Sequence, residues 1–152
     1  MKKTNKKGFT LVELLAVIVI LGVLLMIAVP AIQNVIKKSK RNAFESQAKL
    51  IIENVETMLS ASTNKPDKIC YIPTANVKLE RGSLNANAKK GYVTVTPNSN
   101  STTGYKVTIN IGDGTYVIND KGLSDATAES DATVPQYDSK TQNPLCVFYE
   151  ES

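Results

Sequence analysis

Apolar and polar residues follow three regimes along this chain. Met1 to Gly8 is polar and basic, and Phe9 to about Ile32 is apolar apart from Thr10, Glu13 and Gly22, with Pro30 near the end. As a helix, Leu14 to Ile32 rises about 28 Å at roughly 1.5 Å per residue, close to a bilayer hydrocarbon core of about 30 Å. From Gln33 polar residues enter, yet helical spacing persists: Phe44, Ala48, Ile51, Ile52, Val55, Met58 and Leu59 fall on one face. Arg41, Glu45, Lys49 and Glu53 recur every four residues on another face, where opposite charges support a helix. The polar run Ser60-Ala61-Ser62-Thr63-Asn64 and then Pro66 end the pattern. One helix from Phe9 to about Leu59 is predicted, apolar all round at first and amphipathic afterwards.

Beyond Pro66 the period becomes two. Tyr105, Val107, Ile109 and Ile111 alternate with Lys106, Thr108 and Asn110, the pattern of a half-buried strand. Gly112-Asp113-Gly114 turns it into a second run, Thr115 to Ile118, which Asn119-Asp120-Lys121-Gly122 closes. Tyr92 to Thr96, Leu145 to Tyr149 and Ile69 to Ile72 also read as strands, whereas Asn98 to Gly104 and Ser124 to Gln142 read as loops. The fold class is therefore α+β: a long N-terminal helix whose second half packs on a small antiparallel sheet of about four strands.

Charge changes the picture less than its total suggests. The formal net charge is +4, but Lys2, Lys3, Lys6 and Lys7 supply four of the 18 basic residues, leaving 14 against 14 acids. Excess basicity confined to a short leader is the mark of a targeting segment, and it disfavours a nucleic-acid groove, which needs its excess on the folded domain. A second cluster, Lys37, Lys38, Lys40 and Arg41, follows the apolar run and suits lipid headgroups. With no His in the chain, His-based zinc sites, Ser-His-Asp triads and Cys-His dyads are absent. Cys70 and Cys146 form no CxxC motif. No cofactor or metal is expected, and no enzymatic activity.

The stretch Lys6-Lys7-Gly8-Phe9-Thr10-Leu11-Val12-Glu13-Leu14-Leu15 resembles the prepilin signature of the type IV pilin and type II secretion pseudopilin family. That resemblance covers Lys6 to about Ile36 and fades after Ala61. It implies a leader, residues 1–8, cut between Gly8 and Phe9 by a membrane prepilin peptidase that then N-methylates Phe9. Residues 9–32 would serve first as a membrane anchor and then as filament core, and 33–152 as the pilin globular domain. A carboxylate in a membrane helix is costly and usually partnered. The resemblance gives Glu13 the Phe9 amine of a neighbouring subunit as that partner, fixing axial register, because a slipped subunit would leave a charge buried alone. Gly22 and Pro30, both helix-weakening, match places where pilin helices bend or locally melt. The implied partners are other copies of the chain, the peptidase, an assembly platform protein and an ATPase, with the lipid bilayer before assembly. The implied locations are the cytoplasmic membrane and then a cell-surface filament.

Some pilins carry a C-terminal covalent staple, and Cys70 with Cys146 is the candidate here. Such a bond would close a loop of about 75 residues, valued at something over 4 kcal/mol by the chain-entropy argument; the alternative is two buried thiols. Asp113, Asp120, Asp125, Glu129, Asp131 and Asp138 lack EF-hand spacing, and loop carboxylates are usually solvated. Two other functions compete: a pseudopilin of a secretion or DNA-uptake system, and a soluble protein secreted by a conventional signal peptide cut near Val29-Pro30-Ala31.

Overall fold

The computed structural model describes residues 9–77, 79, 84, 86–142 and 144–146. The basic leader, including Gly8, lies outside the described residues, as do Val147 to Tyr149 of the last expected strand.

One helix, α1, runs Leu11–Ala61 without interruption through Gly22 and Pro30. Up to Ile36 its large apolar side chains are exposed, from Phe9 just before it at 89% to Met26 at 79% and Ile36 at 47%. This is the one helix among the described residues that is long and apolar enough to cross a membrane. Chain contacts divide the protein into Met1–Lys40 and Arg41–Ser152.

In the second unit the apolar period of α1 becomes one face. Phe44, Ala48, Ile51, Ile52, Val55 and Leu59 are all buried, and Met58 packs against the same core. The sheet beneath them is a five-stranded antiparallel meander in the order β1 (Cys70–Pro73), β2 (Tyr92–Pro97), β3 (Tyr105–Gly112), β4 (Tyr116–Lys121) and β5 (Glu129–Ser130). Its inner face contributes Ile72, Val93, Val95, Val107, Ile109, Ile111 and Ile118, each nearly inaccessible to solvent. Phe44 stacks on Tyr116 with ring centroids 6.5 Å apart, tying the start of this helical face to β4.

Three features depart from the simple alternating reading. First, Thr108 and Asn110 sit at polar-side positions of β3 yet are buried. A bulge explains this, because β3 slips against β4 between Ile109 and Ile111. There Asp120 adopts a left-handed φ of 50°, accepts the Thr108 hydroxyl at 2.8 Å, and donates its own N–H to Asn110 Oδ1 at 3.0 Å. Second, Glu129–Ser130 pairs with β4 inside a segment read as loop; two exposed polar residues leave no periodic signal, and only the open edge of β4 selects them. Third, the last expected strand begins at Leu145 as a single parallel bridge to Tyr71 on the free edge of β1.

The turns follow their residues closely. Asp113 Oδ1 accepts the N–H groups of Thr115 and Tyr116 at 2.8 and 2.7 Å, and Gly114 supplies the φ of 91° that the β3–β4 turn requires. Gly91 is held by close approach: a Cβ there would collide with the Asn110 carbonyl oxygen and with Ile111.

Candidate assembly site

The N-terminus of α1 is organised by two residues of the signature. Thr10 precedes the helix and Glu13 stands in its first turn, which is the Thr-x-x-Glu spacing of a capping box. Thr10 donates both its N–H (2.8 Å) and its hydroxyl (2.9 Å) to Glu13 Oε2, while the Glu13 N–H donates to Thr10 Oγ1 at 3.3 Å. Helix ends leave the first N–H groups without internal acceptors, and these bonds satisfy two of them. The spacing Thr10-Leu11-Val12-Glu13 thus also encodes an intrachain role for Glu13, as the acid of the cap. Glu13 Oε1 accepts no hydrogen bond among the described residues, so half of the carboxylate stays open at the exposed start of the helix.

Further along, Gly22 is surrounded by open space: a Cβ at that position would meet no atom within 4 Å. No contact among the described residues therefore requires glycine there. Pro30 lacks the N–H that would bond to the Met26 carbonyl, and both positions stay helical.

In the second unit a carboxylate locks loop to helix. Glu45 Oε1 accepts the Arg41 Nε–H at 3.0 Å and the backbone N–H of fully buried Ala128 at 2.8 Å. The four-residue charge period does not complete itself: among the described residues Lys49 and Glu53 form no ion pair. Glu56, partly shielded from solvent, has its pKa raised by burial and then by the neighbouring charge of Glu53.

Cys70 and Cys146 are joined by a disulfide across 76 positions of sequence, with Cα atoms 5.0 Å apart. It reinforces two backbone bonds at the β1 edge, Tyr71 N–H to the Pro144 carbonyl at 3.1 Å and Cys146 N–H to the Tyr71 carbonyl at 3.0 Å. Beside it lies an open cavity of about 410 Å³ lined by Asn64 to Lys68, Cys70 and Pro144 to Cys146.

The loop acids are used by the backbone. Asp113, Asp125, Asp131 and Asp138 each accept N–H groups within their own turns, and Asp120 serves the bulge. The N–H and hydroxyl of Thr133 hold the Asp131 carboxyl below its usual pKa. Among the described residues no group of three or more His, Cys, Asp or Glu side chains converges as a metal site.

α1 thus opens on Phe9, Thr10 and the Glu13 cap, its first part is apolar and exposed, and its second part packs on a sheet. Residues 3–29 match the family described as the prokaryotic N-terminal methylation motif. The chain is 36% identical over 87 residues to the type IV major fimbrial protein FimA of Dichelobacter nodosus, covering 56% of this chain and 54% of that protein. It is 39% identical over 66 residues to a fimbrial protein of Moraxella nonliquefaciens, covering 43% and 39% respectively. The chain thus spans about half or less of the length of the curated relatives it matches. No solved structure shows significant similarity to it. In its N-terminal motif and in these relatives the chain is similar to type IV fimbrial proteins. Conventional secretion is not favoured, because its cut would fall within α1 at the end of the matched motif.

Proposed function

We propose that this protein is the structural subunit of a type IV pilus or pilus-like filament and has no catalytic role. The observation that carries the reading is the contrast between residues 9–36, whose large apolar side chains are exposed, and a sheet domain whose described apolar face is buried. Such a helix needs lipid or other helices around it. Residues 9–32 hold the subunit in the cytoplasmic membrane until a prepilin peptidase removes residues 1–8 between Gly8 and Phe9 and methylates the Phe9 amine. A platform protein and an ATPase then transfer subunits into a surface filament whose core is built from the apolar helices of many copies. The contact is heterologous and does not close, so it propagates.

Glu13 directs that packing. Its Oε2 caps its own helix through Thr10, and its open Oε1 takes the Phe9 amine of the neighbour, so a subunit out of register strands both charges. Gly22 and Pro30 are the positions at which the helix yields during packing. The expected outcome for Glu13→Ala is a processed, membrane-inserted subunit with at least a tenfold loss of surface filaments by electron microscopy. Filaments of normal number and length would refute the role of Glu13. Intact mass of membrane-extracted protein tests the processing: the mature chain should begin at N-methylated Phe9, and a chain beginning at Gln33 would refute the prepilin reading.

A further inference from the structure

Between β2 and β3 the chain runs Asn98-Ser99-Asn100-Ser101-Thr102-Thr103-Gly104. The main chain closes this turn by itself. Asn98 N–H donates to the Gly104 carbonyl at 2.7 Å, Ser101 N–H to the Asn98 carbonyl at 3.1 Å, and Gly104 N–H to the Ser101 carbonyl at 3.0 Å. Several side chains join in: Asn98 Oδ1 accepts the Asn100 N–H at 3.1 Å, the Ser101 and Thr103 hydroxyls lie 3.0 Å apart, and the Thr103 hydroxyl donates to the Tyr105 carbonyl at 3.2 Å. Two do not. Among the described residues neither the Asn100 carboxamide nor the Thr102 hydroxyl has a hydrogen-bond partner, and both residues are exposed.

Asn100-Ser101-Thr102 is the one Asn-x-Ser/Thr triplet in the chain with x other than proline, the acceptor pattern for N-linked sugars. The spacing has a chemical reason. A carboxamide nitrogen is a poor nucleophile, because its lone pair is shared with the carbonyl, and a hydroxyl two residues on gives an enzyme a second group by which to hold and orient it. The triplet is short, and the fold is what makes it usable here. Both of its functional ends are free, on a turn that needs neither for closure, so a bulky polar group on Asn100 displaces no core residue.

We infer that Asn100 is the acceptor for a glycan transferred from a lipid-linked sugar diphosphate on the outer side of the membrane. This rests on the anchored, exported subunit of the preceding section; the Cys70–Cys146 disulfide suits the same oxidising side. Storage of the subunit by its apolar helix keeps acceptor chain and lipid-borne donor in one bilayer. In the transfer Asn100 Nδ2 bonds to the anomeric carbon and the anomeric carbon–oxygen bond breaks. The lipid diphosphate leaves with the electron pair, and the amide nitrogen gives up one proton. The step is redox-neutral, and Thr102 acts as a positioning residue through its hydroxyl.

The test is tandem mass spectrometry of peptides from the full-length chain, extracted from its own membranes and filaments, with fragmentation that leaves sugars attached. Hexose or N-acetylhexosamine residues should be found on Asn100. Asn100→Gln and Thr102→Ala should each lower the glycopeptide at least tenfold, whereas Thr102→Ser should retain it. Thr103→Ala should leave it unchanged, since that hydroxyl lies outside the triplet. A bare Asn100 throughout an exported chain beginning at Phe9 overturns the inference and leaves the filament reading standing. Sugar on the hydroxyl of Ser101, Thr102 or Thr103 instead overturns it as well, as does undiminished occupancy of Asn100 in Thr102→Ala. A chain that never leaves the cytoplasm overturns both this site and the filament reading.

Discussion

The two parts of α1, before and after about Lys40, belong to one helix and meet opposite demands. In the first, leucine, isoleucine and valine recur on every side and all are exposed; in the second, six apolar residues occupy one face and all six are buried. Helix formation itself is indifferent to this distinction, since backbone bonding is the same in both. Solvation is what separates them. A helix apolar all round has no aqueous side, so no single sheet can satisfy it. A helix with one apolar face is satisfied by one sheet, and then its remaining face is free for charges such as Lys49, Glu53 and Glu56.

That comparison predicts that the sheet domain's stability is insensitive to the apolar segment and sensitive to its own ties. The largest effect belongs to the disulfide. Cys146→Ser, or reduction of the Cys70–Cys146 bond, should cost roughly 4 kcal/mol by loop-closure entropy. For a domain of about 100 residues this lowers the thermal midpoint by on the order of 20 °C, measured by circular dichroism of the full chain in detergent. An unchanged midpoint would show that backbone pairing of residues 144–146 with β1 holds this edge unaided.

Next come the two halves of the helix themselves. Ile52→Ala removes a fully buried side chain and should cost about 2–5 kcal/mol of domain stability. Ile18→Ala, at an exposed position, should leave the same midpoint within about 1 °C because no core of this chain surrounds it. Equal destabilisation by both would contradict the separation of roles.

A smaller loss is expected at the Glu45 lock. Glu45→Ala strands the buried Ala128 N–H and should cost about 1–3 kcal/mol, with Glu45→Gln recovering part of it through its amide oxygen. Faster hydrogen exchange at Ala128 in the alanine variant is the direct readout.

The smallest effect has the opposite sign. Burial and Glu53 raise the Glu56 pKa, so the folded domain binds this proton more tightly than the unfolded chain does. Stability is therefore lost as pH rises from the ordinary glutamate range through the raised value. Glu56→Gln should raise the midpoint slightly at neutral pH, and the gain should vanish on acidification below the unfolded carboxylate pKa.

Much of this protein was legible without coordinates because the relevant physics is local. The span of α1, the face bearing Phe44, Ile51 and Leu59, and the strands around Tyr92 and Tyr105 follow from periodicity, which records which side of an element avoids water. The cap at the start of α1 was legible too, since Thr10 and Glu13 stand at a spacing of three. The tertiary structure alone decided the rest. Burial of Thr108 and Asn110 depends on Asp120 folding back through a bulge twelve and ten residues away. Glu45 acquired its purpose from Ala128, 83 positions distant, and the choice between a Cys70–Cys146 bond, a candidate in the sequence, and two buried thiols was settled 76 positions apart. Contacts of that range leave no period in either segment, because each partner's identity is set by where the other strand happens to pass.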